Sequence, residues 1–195
     1  MIKDLAKEWP AYQNWKNDSY LIKQAGDDII TAEGVDRQFN EFAYFQKKYG
    51  RKEMTYGEFM EIMKDDTRDR NYYFAEQAVP VNLEQDIITP VMADQFLPTE
   101  SVYYWDGIGT KSLGHTDDAE NIMCVLRGWK DFYIVSPFES VFVYPGQKEG
   151  YPSNYSPVNF DNPDLDKWPQ FENAKVFKVR LEDGDCLLVP SHWWH

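Results

Sequence analysis

The sequence predicts a mostly β chain, an antiparallel barrel or jelly roll that follows an α-helical N-terminal part. Two observations carry this prediction. Helical apolar spacing ends near residue 64, and from Asn71 onward short aromatic and β-branched segments alternate with Gly and Pro turns. We expect one domain over residues 1–195, with the helical part at 1–70 and the β core at 71–195.

The helical part carries a specific start signal for one of its elements. Thr55, followed three residues later by Glu58, is the capping-box pattern of a helix N-terminus. The predicted elements are short helices over residues 3–25 broken at Pro10 and Gly26, a strand at Asp28–Glu33 and a helix at Met54–Lys64.

The β core shows strands, two short turns and one long irregular stretch. Gly128 lies between two apolar segments and predicts a hairpin, and Glu182–Asp185 predicts a tight turn before a returning strand. Residues 137–174 are rich in Pro and predict a long insert, which in a compact domain is typically functional or a lid. The predicted strands are Tyr72–Val79, Val102–Trp105, Ile122–Leu126, Asp131–Val135, Val176–Leu181 and Cys186–Val189.

Charge and hydropathy exclude several partners. The 195 residues carry a formal net charge of −13, which repels phosphate backbones and disfavours nucleic acid. No run of 18 apolar residues occurs, so we expect no membrane span. An acidic chain suits a basic polypeptide partner.

The chain has two cysteines, Cys124 and Cys186, each in a separate apolar segment. We expect two free, buried thiols rather than a disulfide. The N-terminus has no apolar signal-peptide core. Together these features predict an intracellular protein of the cytoplasm, the nucleus or both.

A His-x-Asp motif is the first candidate for chemistry. In an extended segment His115 and Asp117 point to one side, and one further histidine would complete a two-His, one-carboxylate iron site. The spacing alone also fits a turn with an Asx hydrogen bond. His195, beside two tryptophans at the end of a strand, is the candidate third ligand, although it also fits a frayed terminal residue. We interpret His192 as a surface histidine or a neighbour of the site.

Lys130 is the second candidate, at the start of the second hairpin strand. A buried lysine requires an anion, which a bound dicarboxylate would supply. An exposed hairpin lysine fits the spacing equally well.

Several stretches, in order along nearly the whole chain, resemble the JmjC (cupin-like) hydroxylases and, within them, the asparaginyl hydroxylases that act on hypoxia-inducible factor. They are Trp9-Pro10-Ala11, Thr55-Tyr56-Gly57-Glu58-Phe59, Tyr72-Tyr73, His115-Thr116-Asp117, Val125-Leu126-Arg127-Gly128-Trp129-Lys130, Asn159-Phe160-Asp161-Asn162-Pro163-Asp164, Gly184-Asp185-Cys186-Leu187-Leu188-Val189-Pro190 and Trp193-Trp194-His195.

The resemblance implies a double-stranded β-helix that holds Fe(II) and 2-oxoglutarate. His115, Asp117 and His195 match the iron ligands, and the resemblance implies no catalytic residue beyond them. Lys130 matches the residue that pairs with the distal carboxylate of the cosubstrate. The other implied cosubstrate residues are Ser112, Tyr73, Asn121 and Tyr104, and Trp194 is the implied substrate-pocket residue.

The implied activity is hydroxylation of a protein side chain by a 2-oxoglutarate-dependent dioxygenase. Two alternatives stay open: a catalytically inactive cupin-like binding or scaffold module, and an RNA-modifying hydroxylase of the same family. The family continues beyond its last histidine, whereas this chain stops at His195, so we expect a jelly roll truncated before its last strands. A homodimer through segments outside these residues also stays open.

Overall fold

The structure is a computed structural model and describes residues 1–42, 50–91, 93 and 101–195. The chain forms two compact units, one of Met1–Ala6 with Ser112–His195 and one of Lys7–Lys111. The boundary between the units therefore lies near residue 111, whereas the sequence patterns change near residue 70.

The helices are short, and the predicted breaks at Pro10 and Gly26 and the predicted helix end at Lys64 are confirmed, whereas the helix at Val81–Glu84 is additional. Pro10 is the first residue of the first α-helix, and Gly26 caps the second. Both bonds of the predicted capping box at Thr55 and Glu58 are present. The helices are α1 (Pro10–Asn14), α2 (Asp18–Ala25), α3 (Tyr56–Lys64) and α4 (Val81–Glu84), with 3₁₀ helices at Leu5–Glu8, Pro137–Val143 and Pro169–Asn173.

The strands agree with the predicted ones to within three residues at each end, and those at Glu41–Phe42, Gly50–Thr55 and Lys111–Ser112 are additional. They are β1 (Ile29–Asp36), β2 (Glu41–Phe42), β3 (Gly50–Thr55), β4 (Arg70–Ala78), β5 (Tyr103–Gly107), β6 (Lys111–Ser112), β7 (Asn121–Cys124), β8 (Trp129–Ile134), β9 (Phe177–Glu182) and β10 (Cys186–Val189).

The unit of Lys7–Lys111 is built on an antiparallel sheet in the order β3-β1-β4-β5. Helix α3 buries Tyr56, Phe59, Met60 and Met63. The N-terminal part is thus a helix-and-sheet layer rather than a purely helical segment, because β1 and β3 pair within it.

The other unit is a jelly roll in which β7 pairs with β10 and β8 pairs with β9, both antiparallel. The predicted hairpin of β7 and β8 is wrong, since these strands lie in different sheets. Gly128 and Gly184 both have positive φ and make turns that carry the chain from one sheet to the other. The core that the two pairs share consists of Val125, Phe132, Ile134, Leu181, Leu187 and Val189.

The two cysteines are cross-strand partners. Cys124 pairs with Cys186 in the register of β7 and β10, and a disulfide joins them, with their Cα atoms 4.1 Å apart. The prediction of two free thiols is wrong, because β7 and β10 pair and set the two cysteines opposite each other. The sequence does not show which strands pair. The argument from cysteine usage for a reducing compartment falls with the prediction of free thiols.

The insert at 137–174 folds onto its own apolar cluster. Val143, Val158 and Phe171 pack there with Val135 and Trp194, and all five are buried. The Trp194 indole N–H donates to Ser140 Oγ at 2.8 Å. The insert is therefore anchored to the segment that leads to His195.

The described helices include none with the length and apolarity needed to cross a membrane.

Candidate metal centre

The His-x-Asp segment lies between two other backbone segments. His115 and His195 exchange both backbone hydrogen bonds, each at 2.9 Å. On the other edge, Asn154–Ser156 of the insert bonds to the backbone of Gly114 and Thr116 at 2.8 and 2.9 Å. Backbone pairing thus brings the last residue of the chain beside His115.

The side chains of His115 and Asp117 converge, as the two-residue spacing predicts, and the His195 side chain meets them. Asp117 Oδ1 lies 3.8 Å from His115 Nε2, and Asp117 Oδ2 lies 3.5 Å from His195 Nε2. One ligand atom from each residue lies within 4.8 Å of the other two. This is the donor set of two-His, one-carboxylate non-haem Fe(II) sites, so these residues fit an iron ion.

Both histidines are fixed in the tautomer that a metal requires. His115 Nδ1 donates to the Leu113 carbonyl at 2.8 Å, and His195 Nδ1 donates to the Trp193 carbonyl at 2.9 Å. A carbonyl only accepts, so each Nδ1 carries the proton. Each Nε2 therefore presents its lone pair to the common point.

The electrostatics of the site keep the ligands in their binding forms. Burial, followed by the neighbouring His195 ring, lowers the pKa of His115. The neighbouring His195 side chain, the His115 ring and the Asn121 amide lower the pKa of Asp117, although burial opposes them. Near neutral pH the site therefore offers a neutral imidazole at His115 and an ionised carboxylate at Asp117.

Two further residues contact the ligands directly. Asn121 Nδ2 donates to Asp117 Oδ2 at 2.8 Å. The Tyr155 ring stacks on the His115 ring, with centroids 5.3 Å apart and planes 17° apart. Sequence reasoning missed Tyr155, because nothing in the sequence links a tyrosine of the insert to a histidine forty residues earlier.

His192 lies outside the cluster, as predicted. Its side chain is 64% exposed, and its Nδ1 lies 3.6 Å from Asp118 Oδ1. Its backbone N–H donates to the Asp117 carbonyl at 2.8 Å, so it supports the ligand segment through its main chain.

The chain matches the family model described as "Cupin-like domain" over residues 1–195. It belongs to the cupin-like family. Among its relatives are JmjC domain-containing protein D of Dictyostelium discoideum, 28% identical, and Jumonji C domain-containing protein 5 of Drosophila melanogaster, 24% identical. Lysine-specific demethylase JMJ31 of Arabidopsis thaliana is 26% identical. Each alignment covers 100% of this chain and 47%, 50% and 42% of the respective relative, so the chain spans about half their length.

The cofactors of JmjC proteins in the cupin-like family are Fe(II) and 2-oxoglutarate, and the His-Asp-His group suits the iron. Lys130, the predicted partner of the distal carboxylate, belongs to the same unit as this group. On β8 it shares the inward face with the buried Phe132 and Ile134, and its Nζ lies 5.4 Å from the Phe132 ring centroid. Its positive charge acts at the His115 imidazole, where it helps to lower the pKa.

The remaining predicted site residues occupy different surroundings. Ser112 is exposed on β6. Tyr73 and Tyr104 belong to the other unit, where Tyr73 is buried against Phe42 and Tyr104 hydrogen-bonds to Tyr56. The cosubstrate contacts of these three residues stay predictions.

Trp194, the predicted substrate-pocket residue, is 3% exposed within the apolar cluster of the insert. Its observed contacts anchor the insert, and a role in a substrate pocket stays a prediction.

Proposed function

We propose that this chain is the core of an Fe(II)- and 2-oxoglutarate-dependent dioxygenase that hydroxylates a protein side chain. The observation that carries the proposal is the convergence of His115 Nε2, His195 Nε2 and the Asp117 carboxylate, with both Nδ1 atoms committed to backbone carbonyls. That arrangement presents three ligands from one side and leaves the other side for cosubstrate and oxygen.

The chemistry divides between cofactor and protein. When bound, Fe(II) with 2-oxoglutarate supplies the oxidation of a carbon–hydrogen bond. His115, Asp117 and His195 would hold the metal. Lys130, on the inward face of β8, supplies the positive charge for the distal carboxylate of the cosubstrate.

A protein substrate with basic residues suits the charge of the chain. The net charge of −13 attracts a basic polypeptide, and Asp118, next to the ligand Asp117, is fully exposed. One of the named relatives, in Arabidopsis thaliana, is called a lysine-specific demethylase. Oxidation of a side-chain carbon and of an N-methyl carbon require the same kind of metal site, so the product decides between them.

The test measures succinate release and product mass. The full-length protein is incubated with Fe(II), 2-oxoglutarate and a peptide library, with an Asp117→Ala variant as the inactive control. We expect succinate release that depends on peptide, together with a peptide that has gained one oxygen atom. If a methylated peptide instead lost the mass of one CH2 unit, the reaction would be a demethylation and not a hydroxylation. Metal binding without turnover of any peptide would favour an inactive binding module.

Removal of the Lys130 charge should weaken cosubstrate binding selectively. A charge-assisted hydrogen bond to a partly buried anion contributes roughly 1.5–3 kcal/mol. At about 1.4 kcal/mol per decade, we expect Lys130→Met to lower 2-oxoglutarate affinity about ten- to a hundredfold while metal affinity is retained. Titration of the metal-loaded full-length protein measures both.

Lys178→Met is the matched control, because Lys178 lies on the neighbouring strand with its ammonium bonded to Tyr133 on the outer face. Lys130→Arg should restore binding only in part, since the planar guanidinium is larger and directed differently. Unchanged cosubstrate affinity in Lys130→Met would mean that the anion binds elsewhere.

We propose a location in the cytoplasm, the nucleus or both, on the strength of the relative that is named a lysine-specific demethylase. The Cys124–Cys186 disulfide is the observation against it, because glutathione keeps most thiols of those compartments reduced. Imaging of the tagged full-length protein in intact cells should show it in the cytoplasm, the nucleus or both. Recovery from the secretory pathway would contradict the proposed location.

A further inference from the structure

Each of the three metal-ligand side chains makes a hydrogen bond that fixes its orientation. For the two histidines the partner is a backbone carbonyl. For Asp117 it is the side chain of Asn121, whose Nδ2 donates to Oδ2 at 2.8 Å. A carboxylate only accepts, so the amide group of Asn121 must present its nitrogen.

Asp117 is the ligand that most needs such a partner. Its side chain is 41% exposed, whereas those of His115 and His195 are 21% and 11% exposed. It lies in an irregular segment, and a carboxylate in water rotates readily about its terminal torsion. Without a fixed donor, either oxygen or both would face a metal.

Asn121 stands on a rigid element. It is the first residue of β7, and it pairs with Val189 of β10 in the register of the two strands. The disulfide of Cys124 and Cys186 fixes the other end of the same strand pair. The donor is therefore positioned by the sheet, and the ligand four residues earlier is positioned by the donor.

The geometry points to Asn121 as the positioning residue that fixes the orientation of the Asp117 carboxylate at the metal. The amide holds Oδ2 at 2.8 Å, while Oδ2 lies 3.5 Å from His195 Nε2 and Oδ1 lies 3.8 Å from His115 Nε2. A carboxylate that rotated freely would also place its second oxygen on the metal, in a coordination position that the cosubstrate or oxygen requires. This assignment rests on the proposed function, and it differs from the contact between Asn121 and the cosubstrate that the family resemblance implies.

The two roles of Asn121 separate when metal binding is measured without 2-oxoglutarate. Mn(II) titration of the full-length protein, followed calorimetrically, gives the affinity of the metal alone. We expect Asn121→Leu, which keeps the size and removes the donor, to bind Mn(II) about ten- to a hundredfold more weakly. Asn121→Gln, which keeps an amide on a longer arm, should bind more tightly than Asn121→Leu.

Asn173→Ala is the matched control, because the Asn173 amide donates to a backbone carbonyl in the insert and is exposed. It should bind Mn(II) like the parent. Co(II) loading adds a signature that simple loss of folding would not give: the visible absorption of the Asn121→Leu protein should shift as the carboxylate changes its mode of binding. Circular dichroism checks the fold, and Asn121→Ala replaces Asn121→Leu if the latter does not fold.

Three results would overturn the assignment. Parental Mn(II) affinity in Asn121→Leu with weakened 2-oxoglutarate binding would make Asn121 a cosubstrate contact only. Equal weakness in Asn121→Gln and Asn121→Leu would attribute the loss to the packing of β7. Absence of Mn(II) binding by the parent protein would remove the metal centre itself, a failure of the proposed function that the variants could not produce.

Discussion

The two ends of the β7–β10 strand pair each carry an aspartate, and the two aspartates have opposite environments. At the disulfide end, Asp185 is 2% exposed and accepts from Lys3 Nζ at 2.5 Å and from two backbone N–H groups, those of Glu182 at 3.2 Å and Asp4 at 3.3 Å. At the other end, Asp117 is half-exposed, and Asn121 holds one of its oxygens.

The difference shows how one strand pair supports both stability and a site. The donors around Asp185 are the Lys3 ammonium and two backbone N–H groups, so the charge of Asp185 stabilises the fold. Around Asp117 the protein supplies one donor and then two imidazole nitrogens whose lone pairs face the carboxylate. The imidazole lone pairs and the carboxylate oxygens repel one another, and a bound cation would accept electron density from all of them.

The largest expected effect comes from removing the carboxylate of the site end. Asp117→Ala should lower Mn(II) affinity by at least about a hundredfold, since even partners of metal ligands account for ten- to a hundredfold. Calorimetric titration measures the affinity. In the parent protein, Mn(II) at about a hundred times its Kd should add about 2.7 kcal/mol of stability, and this gain should vanish in the variant.

Asp118→Ala is the control for that experiment, because the Asp118 carboxylate is adjacent and fully exposed. Equal losses in the two variants would mean that general negative charge, not a ligand, holds the metal.

Removing the covalent link at the stable end should give the next effect. Cys124 and Cys186 are separated by 62 residues, and a disulfide closing a loop of that length contributes typically 2–4 kcal/mol. We expect the double variant Cys124→Ala, Cys186→Ala to lose about that much free energy of unfolding in urea. Its Mn(II) affinity should stay within a few-fold of the parent, because the ligands lie at the opposite end. A large loss of Mn(II) affinity would contradict the separation of the two ends.

The smallest effect should be a dependence of stability on acid at Asp185. Burial works against its charge, but Lys3 and the backbone N–H groups outweigh it and lower the pKa of Asp185. A carboxylate with a lowered folded pKa contributes stability that is fully present above its unfolded pKa of about 4 and is lost as the pH falls through the lower folded value.

Asp185→Asn should therefore cost about 1–3 kcal/mol near neutral pH and progressively less below about pH 4. Urea titrations of both proteins across this range measure the difference. A constant difference at all values of pH would assign the loss to packing rather than to charge.

Local features of the chain could be predicted from the sequence because they depend on neighbours in the sequence. The capping box at Thr55, the breaks at Pro10 and Gly26 and most strand positions follow from caps, turn residues and apolar spacing. The convergence of His115 and Asp117 follows likewise, because residues two apart in an extended segment share a face.

The tertiary structure alone decided which strands pair. The segments around Gly128 and Gly184 have the same pattern of apolar residues and glycine as hairpins, yet each turn joins two different sheets. Whether a turn closes a hairpin or crosses between sheets depends on where the apolar faces find their partners in three dimensions. The same pairing set Cys124 against Cys186, His195 beside His115 and Tyr155 on the His115 ring, contacts between residues about 40 to 80 positions apart that no local pattern encodes.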